Sequence, residues 1–353
     1  MVIKEIKYFS EELIFNIPFQ TSKSVFEKKM IFIVIISDEL NNIGKGECSP
    51  LPEFGTENYE QAENKLAEIK NSFINRSFEK VTDEEFKNCL NELSDFPALR
   101  FAIEQAVFTL FSKRNADFYI KLFSHQNKRI ININAVAGFG SSEQIIKNIN
   151  SFLENGFTTI KLKCGRKNFD DDLKVINAIN NSFGRKINLR IDINGNWEFG
   201  EAKEYLKELE KFNIEYIEQP VSSIKDLIEL SVITIINLAA DESIKNIEDA
   251  STLLTNGIRF LVVKPAVIGG ILNSINILKE AERHGANVIF SSSFESPVGK
   301  SALVYLASLT SHNFAHGLGV DNLFKNKICD DPYLIEAGKI SFDINKYPPE
   351  FVF

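Results

Sequence analysis

The chain has 353 residues, of which 44% are apolar and 25% are charged, and its formal net charge is −8. This length predicts two domains or one large barrel with an addition, and the acidic balance gives no reason to expect nucleic acid or an anionic membrane as a partner. Lys and Glu interrupt the apolar residues at the start of the chain, and no apolar run approaches the ~20 residues of a membrane span. We therefore expect a cytoplasmic protein without a membrane partner.

The first part of the chain, to about residue 125, has the pattern of strands followed by helices. Residues 32–36 (FIVII) form an apolar strand run, and residues 58–73 and 82–93 have helical spacing. This order predicts an α+β domain. The four cysteines are scattered without C-x-x-C spacing, so neither a zinc site nor a disulfide framework is indicated.

From residue 129 the pattern becomes strand, polar turn and helix, repeated. The apolar strand runs are RIININAV, FTTIKLK, KINLRIDI, IEYIEQP, IINLAADE, IRFLVVKP and ANVIFSSS. Helical stretches such as 142–154, 200–212 and 270–284 lie between them. Seven or eight βα units in succession favour a closed barrel over an open sheet. We therefore expect an α/β fold, a TIM-like (β/α)7β barrel over residues 126–319, with an α+β capping domain over residues 1–125 and the tail 320–353 packing back on that domain.

Charged residues recur at the carboxyl ends of the predicted strands. They are Lys161, Lys163, Asp192, Glu218, Asp241 and Lys264. From Lys163 onward the separations are 29, 26, 23 and 23 residues, each about one βα unit. Any one of these charges alone is more often solvated or a helix cap. Six in phase with the strands predict one cluster at the barrel mouth, where such barrels hold their active sites.

The residue types of this cluster point to a metal-assisted proton transfer. Lys161 and Lys163 alternate along a strand and therefore point to the same side. Three converging carboxylates need a cation, and hard oxygen ligands without His or thiolate indicate Mg²⁺, with Mn²⁺ able to substitute. Neighbouring cations lower the pKa of an amine, so Lys163 is the candidate base. The implied reaction is abstraction of a proton α to a carboxylate, on a small-molecule carboxylate substrate.

These motifs together resemble the enolase superfamily, in its muconate-lactonizing subgroup. The matching motifs are K-x-K at Lys161 and Lys163, D-x-N at Asp192 and Asn194, E-Q-P from Glu218, D-E at Asp241 and K-P at Lys264. Within the subgroup, the segments 44–57 (GKGECSPLPEFGTE), 97–106 (PALRFAIEQA) and 291–299 (SSSFESPVG) are most similar to the o-succinylbenzoate synthase family.

That resemblance implies a reaction and a role for each residue. The reaction is dehydration of 2-succinyl-6-hydroxy-2,4-cyclohexadiene-1-carboxylate to 2-succinylbenzoate, in menaquinone biosynthesis. Asp192, Glu218 and Asp241 would bind Mg²⁺, and Lys163 would remove the proton. Lys264 would stay protonated on the opposite face, and Lys161 would tune Lys163. The implied substrate-binding residues are Arg190, Asn194, Ser291, Ser293 and Glu295.

Three alternatives remain open at the level of sequence. A racemase or epimerase of N-acylamino acids or dipeptides would use Lys163 and Lys264 as bases on opposite faces. A dipeptide epimerase of this subgroup is expected to carry D-x-D after the eighth strand, whereas this chain has only Asp321 there. This difference counts against a dipeptide epimerase and leaves a racemase of N-acylamino acids open. A Schiff-base aldolase would give the three carboxylates no role, and a barrel that only binds a ligand would leave the catalytic set unused. The sequence does not give the oligomeric state.

Overall fold

The computed structural model describes residues 1–20, 25–122, 127–321 and 323–353. The chain begins with an antiparallel sheet of three strands in the order β1-β2-β3. They are β1 (Ile3–Gln20), β2 (Val25–Asp38) and β3 (Ile43–Cys48). Alternate side chains of β2, such as Phe32, Val34 and Ile36, are buried and join the main hydrophobic core. Ile31 and Ile33, on the other face, are buried as well, in a second cluster with Val298 and Phe351, so both faces of β2 are covered.

Four α-helices follow this sheet over residues 49–122, all of which the structure describes: α1 (Tyr59–Phe73), α2 (Glu84–Asn91), α3 (Pro97–Arg114) and α4 (Phe118–Leu122). The predicted helices at 58–73 and 82–93 correspond to α1 and α2. Helix α3 is buried along most of its length. A Cβ at Gly44 or Gly46 would overlap the carbonyl oxygens of Ala106 and Ala102. Strand β3 therefore packs directly on α3, and only glycine fits at those two positions.

Residues 127–321, which the structure describes without a gap, form seven βα units. Their strands are β5 (Ala135–Gly138), β6 (Thr159–Lys163), β7 (Asn188–Asp192), β8 (Ile214–Glu218), β9 (Leu238–Ala240), β10 (Phe260–Val263) and β11 (Asn287–Phe290). The helices are α5 (Ser142–Glu154), α6 (Phe169–Phe183), α7 (Phe199–Leu209), α8 (Ile224–Ser231), α9 (Ile247–Thr255), α10 (Ile271–Arg283) and α11 (Pro297–Ser308). The strands form one parallel sheet in chain order from β5 to β11. The predicted parallel α/β architecture is confirmed.

A short segment connects the two edges of this sheet. His316 forms a parallel bridge with Ile133, and Gly317 forms one with Ser291. Ile133 precedes β5 and Ser291 follows β11, so this segment lies between the first and last strands. The arrangement is consistent with a TIM-like barrel. The (β/α)7β description stays a prediction. Within the described residues, this segment forms only isolated bridges, so it is not a full eighth strand.

The tail of the chain contacts both parts of the molecule. Phe324 forms an antiparallel bridge with Phe15, and the Lys325 amide donates to the Ile14 carbonyl at 2.7 Å. Further on, β12 (Lys339–Ser341) pairs with β4 (Ile130–Asn132), which precedes the parallel sheet. The domain boundaries 1–125, 126–319 and 320–353 stay predictions.

Buried carboxylates of the first part cap helices of the second. The Glu47 carboxylate accepts hydrogen bonds of 2.8 Å from the amides of Ser296 and Gly299, at the first turn of α11. Glu104, on α3, accepts one of 3.0 Å from the Leu272 amide at the start of α10. The first backbone amides of a helix have no partner within the helix itself, so these oxygens satisfy them. These contacts hold β3 and α3 against the parallel sheet. Within the described residues, none of the helices combines the length and apolar character that crossing a membrane requires.

Candidate active site

The register of the parallel sheet aligns charged residues at the carboxyl ends of three neighbouring strands. Lys163 of β6 pairs with Asp192 of β7, which pairs with Glu218 of β8. Lys161 lies two residues before Lys163 and shares its face. The pairing partner of Lys161 is Arg190. The two lysines and two carboxylates therefore project from one side of the sheet.

Short ion pairs connect the lysines to the carboxylates. Lys161 Nζ lies 2.6 Å from Glu218 Oε1 and 2.8 Å from Asp192 Oδ2. Lys163 Nζ lies 2.7 Å from the same Asp192 oxygen. Lys264, which directly follows β10, forms an ion pair with Asp241, which directly follows β9. The structure thus brings together the six charges that the sequence places at the strand ends.

Burial and mutual charge shift the pKa values of these groups. Burial alone would raise the pKa of Asp192, but Lys161 and Lys163 outweigh it, so this carboxylate stays ionised. Burial and the neighbouring Asp192 raise the pKa of Glu218 to about 8. Burial opposes the charge of Lys161 and of Lys264, but the carboxylates beside them raise the pKa of both amines. The cluster therefore concentrates opposite charges in a place largely shielded from water.

The donor set of this cluster fits a small divalent cation. Asp192, Glu218 and Asp241 supply carboxylate oxygens, which are the ligands that Mg²⁺ and Mn²⁺ prefer. The Glu218 Oε2 atom is buried and has no hydrogen-bond partner, so it is an acceptor that the protein does not satisfy. Over the described residues, no three acidic, His or Cys side chains stand close enough to hold an ion as they are placed. Lysines occupy one oxygen of each carboxylate, so these side chains would have to turn toward the ion.

The five predicted substrate-binding residues fall into two groups. Asn194 and Ser291 are only partly buried and lie just beyond β7 and β11. The Asn194 Oδ1 atom accepts from Lys163 at 2.9 Å. Arg190, Ser293 and Glu295 are fully buried, with 0% of their surface exposed. Direct contact of these three with a substrate, which the resemblance implies, stays a prediction.

The partners of the buried residues explain their positions. The Arg190 guanidinium donates to the Ala315 carbonyl at 2.7 Å and to Glu215 at 2.5 Å, and it lies 4.7 Å from the Tyr216 ring centre. Glu295 accepts from the Ser293 amide at 2.8 Å. Arg190 therefore stabilises the interior of the sheet beneath the carboxylates, and Glu295 stabilises the loop after β11.

An apolar wall lies beside Lys264. It consists of Phe15, Leu51, Phe54, Phe294, Leu323 and Phe324. Phe54 belongs to a short 3-10 helix in the segment 44–57, and its ring packs on Phe294 with the centres 5.6 Å apart. Lys264 Nζ lies 5.1 Å from the Phe54 ring centre. One side of the charged mouth is therefore aromatic.

The sequence did not predict two further buried lysines outside the cluster of six charges. Lys29 of β2 is buried, and its amine donates to the Ser293 carbonyl at 2.5 Å. Its burial lowers its pKa to about 8. Lys300 of α11 is buried as well and forms ion pairs with Asp321 and Asp331. Nothing near either lysine in the sequence indicates burial, and Lys29 directly follows another lysine.

Residues 144–344, more than half of the chain, match the family model described as enolase C-terminal domain-like. The chain belongs to the enolase superfamily. Among superfamily relatives, it is 25% identical to an o-succinylbenzoate synthase of Desulfotalea psychrophila over 92% of this chain and 95% of that protein. It is 31% identical to an L-Ala-D/L-Glu epimerase of Francisella tularensis subsp. novicida, over 64% of this chain and 63% of the relative.

The superfamily fold extends over nearly the whole chain. A solved dipeptide epimerase from Enterococcus faecalis V583, complexed with Mg and L-Leu-L-Tyr, superimposes with a TM-score of 0.87. The match covers 97% of this chain and 98% of the epimerase at 22% identity, so it shows a shared fold. Protein PHYLLO of Arabidopsis thaliana is 29% identical over 82% of this chain, which spans only 19% of that longer protein. Synthases and epimerases are thus both among the relatives.

Proposed function

We propose that this enolase-superfamily enzyme is an o-succinylbenzoate synthase. It would dehydrate 2-succinyl-6-hydroxy-2,4-cyclohexadiene-1-carboxylate to 2-succinylbenzoate in menaquinone biosynthesis. The roles follow the clustered side chains: Asp192, Glu218 and Asp241 would hold Mg²⁺, and Mn²⁺ would be able to substitute for it. When bound, the ion neutralises the negative charge that gathers on the substrate carboxylate as the proton leaves.

The hydrogen bonding of Asp321 is the observation that favours the synthase over a dipeptide epimerase. A dipeptide epimerase of this subgroup is expected to carry a second acidic residue two positions after this aspartate, and here that position is Leu323. Both carboxylate oxygens of Asp321 are engaged, one by Lys300 and the other by the Ile335 amide at 2.6 Å. Asp321 is therefore occupied within the protein instead of being available to a dipeptide ammonium group, which favours the synthase.

The apolar wall also suits a cyclohexadiene ring better than a charged peptide. Phe54 presents its aromatic ring beside Lys264, and Phe294 packs against that ring. A hydrophobic ring gains free energy by leaving water against such a surface. A peptide backbone placed there would lose hydrogen bonds to water that the wall does not replace.

The proposed reaction divides the work between the two lysines. Lys163 removes the proton α to the substrate carboxylate and passes it to the departing hydroxide, so that a C–H and a C–O bond break, water leaves and the ring becomes aromatic. Lys264 stays protonated, as its carboxylate neighbours favour, and stabilises the electron-rich ring by its positive charge. Lys161 bridges two of the carboxylates and keeps its charge beside Lys163.

A racemase of N-acylamino acids is the second candidate. The positions of the two lysines support it. Lys163 lies on β6 and Lys264 lies just beyond β10, so the two are four strands apart in the sheet. In a closed barrel such positions face each other across the mouth, as two bases on opposite faces require. An acylated amine also has no need of the aspartate that a dipeptide would use.

The proposal is tested by comparing two substrates under the same conditions. Turnover of the cyclohexadiene acid, followed by the absorbance change on aromatisation, should be efficient, and EDTA should abolish it until Mg²⁺ or Mn²⁺ is added back. Epimerisation of L-Ala-L-Glu should be slower by a factor of at least about 100 in kcat/KM, which corresponds to about 2.7 kcal/mol in transition-state binding. Efficient epimerisation with negligible dehydration would overturn the proposal, and full activity in metal-free protein would overturn the metal assignment.

A further inference from the structure

Gln219 stands in an unusual conformation at the centre of the candidate site. It directly follows Glu218, the last residue of β8, and only 1% of its surface is exposed. Its φ angle is +41°, in the left-handed region that residues other than glycine rarely adopt. Such a conformation persists only where the surroundings hold it in place.

The carboxamide of Gln219 uses its full hydrogen-bonding capacity. Its Oε1 atom accepts from the amides of Asp241 at 2.9 Å and Ser243 at 3.2 Å. Its Nε2 atom donates to the Val221 carbonyl at 2.7 Å and to Ser243 Oγ at 2.5 Å. Two backbone N–H donors and a backbone carbonyl fix which end is oxygen, because the opposite orientation would place donor against donor.

These bonds extend the pairing of β8 and β9 beyond the end of the sheet. The ladder between the two strands pairs Glu218 with Ala239, and β9 ends at Ala240. The Gln219 amide donates to the Ala239 carbonyl at 2.8 Å. The Asp241 amide, which lies past the strand, has the Gln219 side chain as its acceptor. The side chain thus replaces the missing backbone acceptor at the point where Asp241 leaves the sheet.

Gln219 also contacts the neighbouring strand end on the other side. Its carbonyl accepts from the Gly195 amide at 2.6 Å, in the turn that follows β7 and Asp192. One residue therefore connects the turns after β7 and β9 with the end of β8. Those three strand ends carry the three proposed metal ligands.

We infer that Gln219 is a positioning residue that fixes the backbone of Asp241, and with it the Asp241 carboxylate, relative to Glu218. The inference rests on the proposed function in one respect, namely that these carboxylates hold a divalent cation. Groups that orient metal ligands typically contribute 10-fold to 100-fold to metal affinity.

Metal affinity gives the first test. Mn²⁺ binding to the full chain, measured by the EPR signal of the free ion, should weaken about 10-fold to 100-fold in Gln219→Met, which keeps the size of the side chain and removes its polar atoms. Gln219→Gly should weaken binding as well, although glycine relieves the positive φ, because it lacks the carboxamide. The control Ser243→Ala loses one of the four bonds and keeps the one to Asp241, so its affinity should stay within about 3-fold of that of the unmodified protein. Unchanged Mn²⁺ affinity in Gln219→Met would overturn the inference.

Hydrogen exchange separates this inference from the proposed function. In metal-free protein, the Asp241 amide should exchange at least about 10-fold faster in Gln219→Met than in the unmodified chain. The Ile217 amide, which donates to the Asn237 carbonyl within the same strand pair, should keep its protection as the internal control. If the unmodified protein binds no Mn²⁺, the metal assignment fails, and the Asp241 amide still decides the role of Gln219. Unchanged protection of that amide would contradict it.

Discussion

The Lys264 ammonium lies 5.1 Å from the centre of the Phe54 ring, so a loop of the first part of the chain contacts a strand end of the parallel sheet. The same ring packs on Phe294, from the loop after β11. An aromatic face stabilises a cation and does not stabilise the neutral amine. The contact therefore favours the protonated state that the proposed dehydration assigns to Lys264.

Replacing Phe54 tests this contact. Phe54→Leu keeps an apolar side chain but removes the aromatic face, and we expect kcat/KM for the cyclohexadiene acid to fall about 10-fold, since a partly desolvated cation–π contact contributes about 1 to 2 kcal/mol. Phe54→Tyr keeps the face and should stay within about 3-fold. Steady-state kinetics of the two variants measure the difference. Equal losses in both would show that the aromatic face does not matter.

Asp321 should affect stability and not turnover. Asp321→Asn removes one of the two carboxylates that neutralise the buried Lys300 ammonium, so we expect the free energy of unfolding to fall by about 1 to 3 kcal/mol. Because we place Asp321 outside the substrate-binding surface, kcat/KM for dehydration should stay within about twofold. Urea unfolding and steady-state kinetics measure the two effects. A large loss of kcat/KM at unchanged stability would contradict this prediction and indicate that Asp321 contacts the substrate.

Lys300 offers the matched control. Lys300→Met removes the shared cation and leaves Asp321 and Asp331 facing each other with no ammonium between them. Breaking a buried pair from one side typically costs about 3 to 5 kcal/mol, so this variant should be less stable than Asp321→Asn.

Glu104 predicts a pH dependence of stability. Burial raises the pKa of this carboxylate to about 7, above its ordinary value of about 4.5. Its protonated form is therefore favoured by folding, and its contribution to stability is full below pH 4.5 and is lost as the pH rises through 7. In Glu104→Gln, which keeps an acceptor for the Leu272 amide, the free energy of unfolding should decline less over this interval, by on the order of 3 kcal/mol. Parallel pH profiles for the two proteins would contradict the assignment.

The lysine and carboxylate cluster could be predicted because its signal is local and periodic. Lys163, Asp192 and Glu218 each end an apolar strand, and parallel strands in chain order bring their ends to the same edge. The structure explains the two glycines of GKGE, since Gly44 and Gly46 lie against α3. The sequence alone indicates only a turn at this point.

The burial of Arg190, Ser293 and Glu295 could not be predicted, because it depends on partners far along the chain. Arg190 finds the Ala315 carbonyl 125 residues away. Lys29 reaches the Ser293 carbonyl across 264 residues, and nothing near Lys29 in the sequence distinguishes it from a solvated lysine. The sequence likewise does not indicate the strained backbone of Gln219, since its four side-chain hydrogen bonds form only when β8 and β9 are adjacent.

The most direct test of the proposed mechanism compares Lys264→Arg with Lys264→Ala, using Lys163→Ala as the reference for a lost base. Dehydration of the cyclohexadiene acid should fall on the order of 10²-fold to 10⁴-fold in Lys163→Ala, the usual contribution of a positioned base. If Lys264 supplies only a positive charge, Lys264→Arg should retain clearly more activity than Lys264→Ala, because a guanidinium also lies well over a π face. A two-base enzyme gives a different result, since arginine does not deprotonate near neutral pH. Equal inactivity of Lys264→Arg, Lys264→Ala and Lys163→Ala would contradict the one-base dehydration.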